Sequence, residues 1–424
     1  MAVDDLPHGH GQVSFAAALR FWLKLGFISF GGPAGQIAVM HQELVDRRRW
    51  IDEAHFLHAL NFCMLLPGPE AQQLATYLGW RMHGVRGGIA AGVLFVLPSL
   101  LLIGALAWLY LTHGGNTLIA GTLAGIKPAV IAIVLMAAWR LGSRTLRNPL
   151  LVALAVGGGV ARVLDLPFPL VIACAALLGW LWPGLQRGLA VEPVRAPPSV
   201  PRWRGPLRVL ACVCALWTAA IGALGLGFGW HHPYAQMGWF FTKAALLTFG
   251  GAYAVLPYVF DGAVDHHGWL SAAQMIDGLA LGETTPGPLI MIVAFAGFLG
   301  GWQQQALGAD ALLLAGVVGA CVATWFTFLP SFLFILAGAP LVEASRGISR
   351  LTAPLAAVSA TVVGVIVHLA LFLAGHVLVG EPVDVPALGI ALAAWCALAL
   401  FKRGLVEVVL GAAALGLLGQ LFMP

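Results

Sequence analysis

The chain is 424 residues long, 60% apolar and only 9% Asp, Glu, Lys or Arg, with a net charge of +4. Soluble domains carry roughly 25% charged residues, so this chain cannot cover a water-facing surface, and its apolar content suffices for roughly a dozen membrane helices of ~20 residues. A soluble enzyme, a nucleic-acid binder, a disulfide scaffold and a disordered chain are excluded. The expected fold class is an all-α polytopic membrane protein in a lipid bilayer.

The first stretch, 1–13, is polar and acidic without a cleavable apolar segment, and reads as a cytoplasmic tail. Residues 15–40 are apolar but broken at Gly31-Gly32-Pro33. Residues 54–80 are broken at Pro67-Gly68-Pro69 and lie between basic loops, with Arg47, Arg48 and Arg49 before and Arg81 and Arg86 after. Lys and Arg collect on the cytoplasmic side. A segment running between two basic loops therefore enters and leaves on one side, as a re-entrant pair of half-helices. Full spans are expected at 89–112, 118–139, 148–164 and 167–184. A Pro- and Arg-rich cytoplasmic linker, 185–206, leads to a linking span at 207–228. Broken segments recur at 238–259 and 273–298, followed by spans at 311–338, 351–375, 386–401 and 404–421.

This order is a duplication. Sliding the chain by 219 residues places Phe21 on Phe240, Lys24 on Lys243, Gly31-Gly32 on Gly250-Gly251, Trp50 on Trp269, and Pro67-Gly68-Pro69 on Pro286-Gly287-Pro288. Further on, Leu97-Pro98-Ser99 answers to Leu329-Pro330-Ser331. The first repeat is 14–184 and the second 236–421. The Arg47–Arg49 loop corresponds to 261–270, which has no Lys or Arg, so equivalent loops prefer opposite sides. The repeats are expected to be inverted, as in many secondary transporters, with the N-terminus cytoplasmic and the C-terminus periplasmic.

Helix breaks inside a membrane must be lined by protein or a polar cavity, and a helix N-terminus with free N–H groups attracts anions. The candidate substrate-binding residues are therefore Gly31, Gly32, Pro33, Pro67, Gly68, Pro69, Gly250, Gly251, Pro286, Gly287 and Pro288, with Pro expected at the first helical position. Asn61, Thr284 and Thr285 are hydrogen-bonding candidates. Lys24 and Lys243 stand at equivalent positions before the breaks, and an intramembrane Lys is functional by default. Glu70 and Glu283 are the carboxylates beside the breaks, placed for coupling or gating although the duplication does not make them equivalent.

His55/His58, His231-His232 and His266-His267 lack a third ligand at helical spacing, so no metal is expected. The six cysteines sit in apolar stretches as inert thiols. No phosphate-binding loop or catalytic motif is present, so neither ATP hydrolysis nor another enzyme activity is expected and no cofactor is implied. That leaves a secondary carrier.

FGGP near the start, LLPGPEAQQLATYLGW, and the second FGG followed by GETTPGP together resemble the chromate ion transporter family over 15–421. The resemblance implies a bacterial inner-membrane protein that exports chromate and confers resistance, with the family's positions falling on Lys24, Gly31, Gly32, Pro67, Gly68, Pro69 and Glu70. Leu289 stands where the second repeat would match Glu70, so the second site differs. The expected function is chromate export by alternating access. The alternatives are a sulfate or other oxyanion permease, a passive anion channel, or a membrane-embedded chromate reductase, for which no redox motif exists. The sequence is compatible with a homodimer but does not require one.

Overall fold

The computed structural model describes residues 13–64, 66–182, 204–249, 251–344, 352–378 and 384–422. Most of the expected tail and linker, and Gly250, lie outside the described residues. Every regular element among them is a helix.

α1 (Phe15–Ile28) is capped by Ser14, whose hydroxyl accepts from the Ala17 N–H. It stops at Ser29. The chain then turns through Gly31, whose φ of +90° suits only glycine, into α2 (Gly32–His41) and a π turn at Gln42–Arg47. α3 (Glu53–Cys63) starts on an Asp52 cap. α4 (Glu70–His113) starts after Pro69 and is kinked at His83-Gly84, which separates a half-helix from a full span. α5 (Thr117–Thr145), α6 (Pro149–Val163), α7 (Phe168–Leu181) and the linking α8 (Arg204–Phe228) follow.

The second half repeats this order. α9 (Pro233–Leu247) and α10 (Ala252–Phe260) lead into a π turn at Asp261–His266. α11 (Ala272–Thr284) is followed by a 3-10 turn, Leu289–Met291, that runs into α12 (Ile292–Gln303). α13 (Leu312–Ala344), α14 (Thr352–Leu378), α15 (Val385–Ala399) and α16 (Leu405–Phe422) complete the fold. The two π turns stand 219 residues apart, the spacing of the sequence repeat.

Among the described residues, five helices are long and apolar enough to cross a membrane: α4, α5, α8, α13 and α14. The expected spans 148–164, 167–184 and 386–401 appear as α6, α7 and α15, of 14 or 15 residues. At 1.5 Å per residue each reaches only ~22 Å, short of a ~30 Å hydrocarbon core. Their starts are set by Asn148-Pro149, Pro167 and Asp384, which the hydropathy pattern does not weigh. These short helices pack across the repeats. α6 and α7 lie on α14, α15 and α16 lie on α5, and α5 meets α14. Small residues allow the close approach: Gly364 abuts the Ala155 carbonyl, and Gly125 abuts that of Ala412. Leu101, Val156, Leu226 and Leu371 are exposed on the periphery, as lipid contact requires.

Candidate functional site

Each break ends one half-helix and starts another, leaving backbone groups without helical partners. The fold satisfies two of them reciprocally. The Gly68 N–H donates to the Thr248 carbonyl at 2.7 Å, and the Gly287 N–H donates to the Ser29 carbonyl at 2.8 Å. Gly68 and Gly287 are 219 residues apart, as are Ser29 and Thr248. The two repeats thus exchange the same bond, and each Pro-Gly-Pro break is joined to the Gly-Gly break of the other repeat. Gly68 and Gly287 hold φ values of +129° and +107°, open to glycine alone.

Side chains secure the junction. The Gln36 amide donates to the Gly287 carbonyl, and the Gln73 amide donates to the Pro67 carbonyl at 2.7 Å. Gln36, Gln72, Gln73 and Ser29 are all fully or almost fully buried. Pro69 and Pro288 occupy the N-cap position rather than the expected first helical position. Both have extended ψ, so the helices begin one residue later, at Glu70 and Leu289.

The carboxylates converge where the sequence kept them apart. Glu70 opens α4, with Oε1 3.9 Å from the point where a Cβ on Gly251 would stand. Glu283 is buried near the end of α11 and accepts a 2.9 Å hydrogen bond from the Tyr253 hydroxyl on α10. Both acids therefore border the start of α10. Thr284 and Thr285 spend their hydroxyl protons on the carbonyls of Leu281 and Gly282. Gly31, Gly32 and Pro33 are half-buried, Gly251 is buried, and Pro286, Gly287 and Pro288 are buried.

The lysines and Asn61 lie apart from this buried cluster. Lys24 is exposed on α1 beside Leu23 and Phe27, and Asn61 is exposed on α3. Lys243 is exposed on α9 and lines a cavity of about 770 Å³ with Trp217, Trp239, Tyr258, Asp261 and His267.

Several polar groups went unread in the sequence. Lys127 pairs with Asp277 at 2.8 Å, and the Tyr110 hydroxyl donates to the same carboxylate at 2.9 Å. Single charges inside otherwise apolar segments were the available signal. Arg162, in the last turn of α6, is buried against Asp261 at 2.8 Å. The π turns carry a second repeated feature. Arg48 lies over Phe21 and Trp50, with centroid distances of 5.0 and 4.9 Å. At the equivalent positions His267 stacks on Trp269 at 4.4 Å and meets Phe240 edge-on at 5.6 Å.

Helix breaks joined across two repeats, inside an all-α integral membrane protein, define the build of a membrane transporter. The chain belongs to the chromate transporter family, whose pattern matches residues 16–180 and 235–417. It is 32% identical to a chromate transport protein of Cupriavidus metallidurans, over 94% of this chain and 92% of that protein. It is 33% identical to a chromate transport protein of Pseudomonas aeruginosa, over 97% and 93% of the two chains. No solved structure matches the chain.

Proposed function

We propose that this protein exports chromate across the bacterial inner membrane as a secondary carrier working by alternating access. The reciprocal bonds Gly68–Thr248 and Gly287–Ser29 carry the reading. If the repeats are inverted, as the basic loops suggest, these equivalent junctions face opposite sides of the membrane. Opening one while the other stays closed then exposes a site between the repeats to one side at a time. With a cytoplasmic N-terminus, the Arg-rich π turn faces the cytoplasm and the C-terminus faces the periplasm.

Chromate is a tetrahedral dianion, and the site offers what such an ion needs: helix N-termini at Glu70 and Leu289, and glycine turns at Gly31-Gly32 and Gly251. Lys24 and the cavity-lining Lys243 serve the anion on the approaches to either side. Glu70 and Glu283, gathered at the start of α10, carry coupling or gating. The same donor set fits sulfate, which makes sulfate the competitor to test.

The test is labelled chromate accumulation in inside-out vesicles, with and without a pH gradient and with excess sulfate. Concentrative uptake that collapses with the gradient is expected, with Lys24→Ala lowering uptake at low chromate and Glu70→Gln removing the response to the gradient. Uptake that only equilibrates marks a channel or a uniporter and sinks coupled export. Sulfate flux without chromate flux sinks the substrate.

A further inference from the structure

Resting on that oxyanion reading, we infer that Ser99 and Ser331 are substrate-ligating hydroxyls, each completing the Pro-Gly-Pro site of the other repeat. The two serines close the matching Leu-Pro-Ser motifs of α4 and α13. Each is 1% exposed, and neither Oγ has a hydrogen-bond partner among the described residues. Buried helix hydroxyls normally donate one turn back, as Thr327 does to Ala323 and Thr248 to Ala244, both at 2.7 Å. These two serines do not.

Instead they face the breaks, and they do so reciprocally. A Cβ on Gly287 would lie 2.5 Å from Ser99 Cβ and 2.9 Å from its Oγ, and a Cβ on Gly68 would collide with Ser331 Oγ. Ser99 belongs to the first repeat and Gly287 to the second; Ser331 and Gly68 reverse the relation. Each glycine therefore leaves a gap that a serine of the other repeat fills. Each gap adjoins a helix start, at Glu70 or Leu289, whose first N–H groups have no intrahelical acceptor. The unpartnered Ser29 hydroxyl lies in the residue whose carbonyl receives the Gly287 N–H.

An unmet buried hydroxyl is a cost to the empty protein, and here it recurs at two equivalent positions. A tetrahedral oxyanion accepts through every oxygen and answers both hydroxyls and N–H groups. The resulting site is composite: helix starts from one repeat, hydroxyls from the other. Neither repeat holds the ion alone.

The test uses the full-length protein in lipid nanodiscs, with labelled chromate binding and thermal unfolding measured on the same samples. Ser99→Ala and Ser331→Ala are each expected to weaken chromate binding about tenfold or more, the usual loss for a hydrogen bond to a charged group. The melting temperature of the empty protein stays unchanged or rises, because the unmet hydroxyl is gone. Ser99→Cys and Ser331→Cys, with similar size and a weaker donor, fall between. Wild-type affinity in both alanine variants overturns the assignment, and so does weaker binding that merely follows a loss of stability in the empty protein. Wild-type protein that binds sulfate but not chromate sinks the substrate reading alone, and the two hydroxyls are then scored on sulfate. Binding of neither anion overturns both.

Discussion

The two halves agree at the joined breaks and in the aromatic residues beside the π turns, and differ in many of the charges around them, the Lys24 and Lys243 pair apart. Gly68 and Gly287, Phe21 and Phe240, and Trp50 and Trp269 are identical at the repeat spacing, and Ser29 and Thr248 give the same carbonyl. Against these, Glu70 corresponds to Leu289, Met64 to Glu283, His58 to Asp277, Glu43 to Gly262 and Arg48 to His267. A bond exchanged between repeats involves both copies, so drift in one copy disturbs a contact of the other. The ion pairs Lys127–Asp277 and Arg162–Asp261 also cross between the halves, but they are not exchanged in return: Asp277 answers to His58 and Asp261 to Gln42. The backbone bonds run in both directions between the halves, and these ion pairs in one.

Breaking the shared geometry should have the largest effect. Gly68→Ala and Gly287→Ala each force a Cβ into an occupied space at a φ that only glycine adopts. Each is expected to lower stability by about 3 kcal/mol and to abolish chromate uptake in vesicles. The comparison is sharpened if the two variants match; a tolerated substitution at one position alone would show that the junctions are not equivalent.

Removing a charge that has no counterpart at the repeat spacing comes next. Asp277→Asn leaves Lys127 without its ion-pair partner and should cost about 3 kcal/mol, or somewhat less because Lys127 is partly exposed. His58→Ala, at the corresponding position, should stay within about 0.5 kcal/mol. Thermal unfolding in detergent reads both, and equal effects would contradict the asymmetry. A smaller change follows from Tyr253→Phe, which removes one hydrogen bond to Glu283 and should cost about 1 kcal/mol by the same assay.

The smallest effect is a pH dependence. Glu43 is held below the usual carboxylate range chiefly by its hydrogen bond to Arg47, against the opposing effect of burial, with Arg48 adding to the lowering. A carboxylate with a depressed folded pKa contributes stability above its unfolded pKa and loses it as pH falls through the folded value. Glu43→Gln should therefore flatten the acid side of the melting-temperature curve. Gly262, its counterpart, has nothing to titrate. An unchanged acid limb would remove Glu43 from the account.

Much of the helix order was legible because it rests on local signals. Apolar runs, Gly and Pro breaks and side-chain caps act within a few residues, and the structure places breaks at each of the four expected points. Lengths were less legible: Asn148-Pro149 and Pro167 trim apolar stretches that hydropathy alone carries further. The candidate site was read by type of residue and missed by partner. Glu70 and Glu283 flank different breaks in the sequence and meet at α10 only through tertiary packing. Ser99 and Ser331 were visible as a repeated motif, yet their meaning depends on the glycines they face in the other half. Lys24 and Lys243 were legible as a repeated pair, but their exposure depends on which face of α1 and α9 is covered.

The crossing of α5 and α14, each held by the last two helices of the other half, bears on how the protein is made. When synthesis has reached the end of α8, the small-residue face of α6 still lacks α14, and α5 lacks α15 and α16. The first half is therefore expected to remain an unfinished insertion intermediate, exposed to membrane proteases until the second half emerges. A chain stopped after α8 should be degraded when expressed alone and rescued when residues from α9 onward are supplied as a separate polypeptide. Pulse-chase turnover of the two fragments, alone and together, measures that dependence.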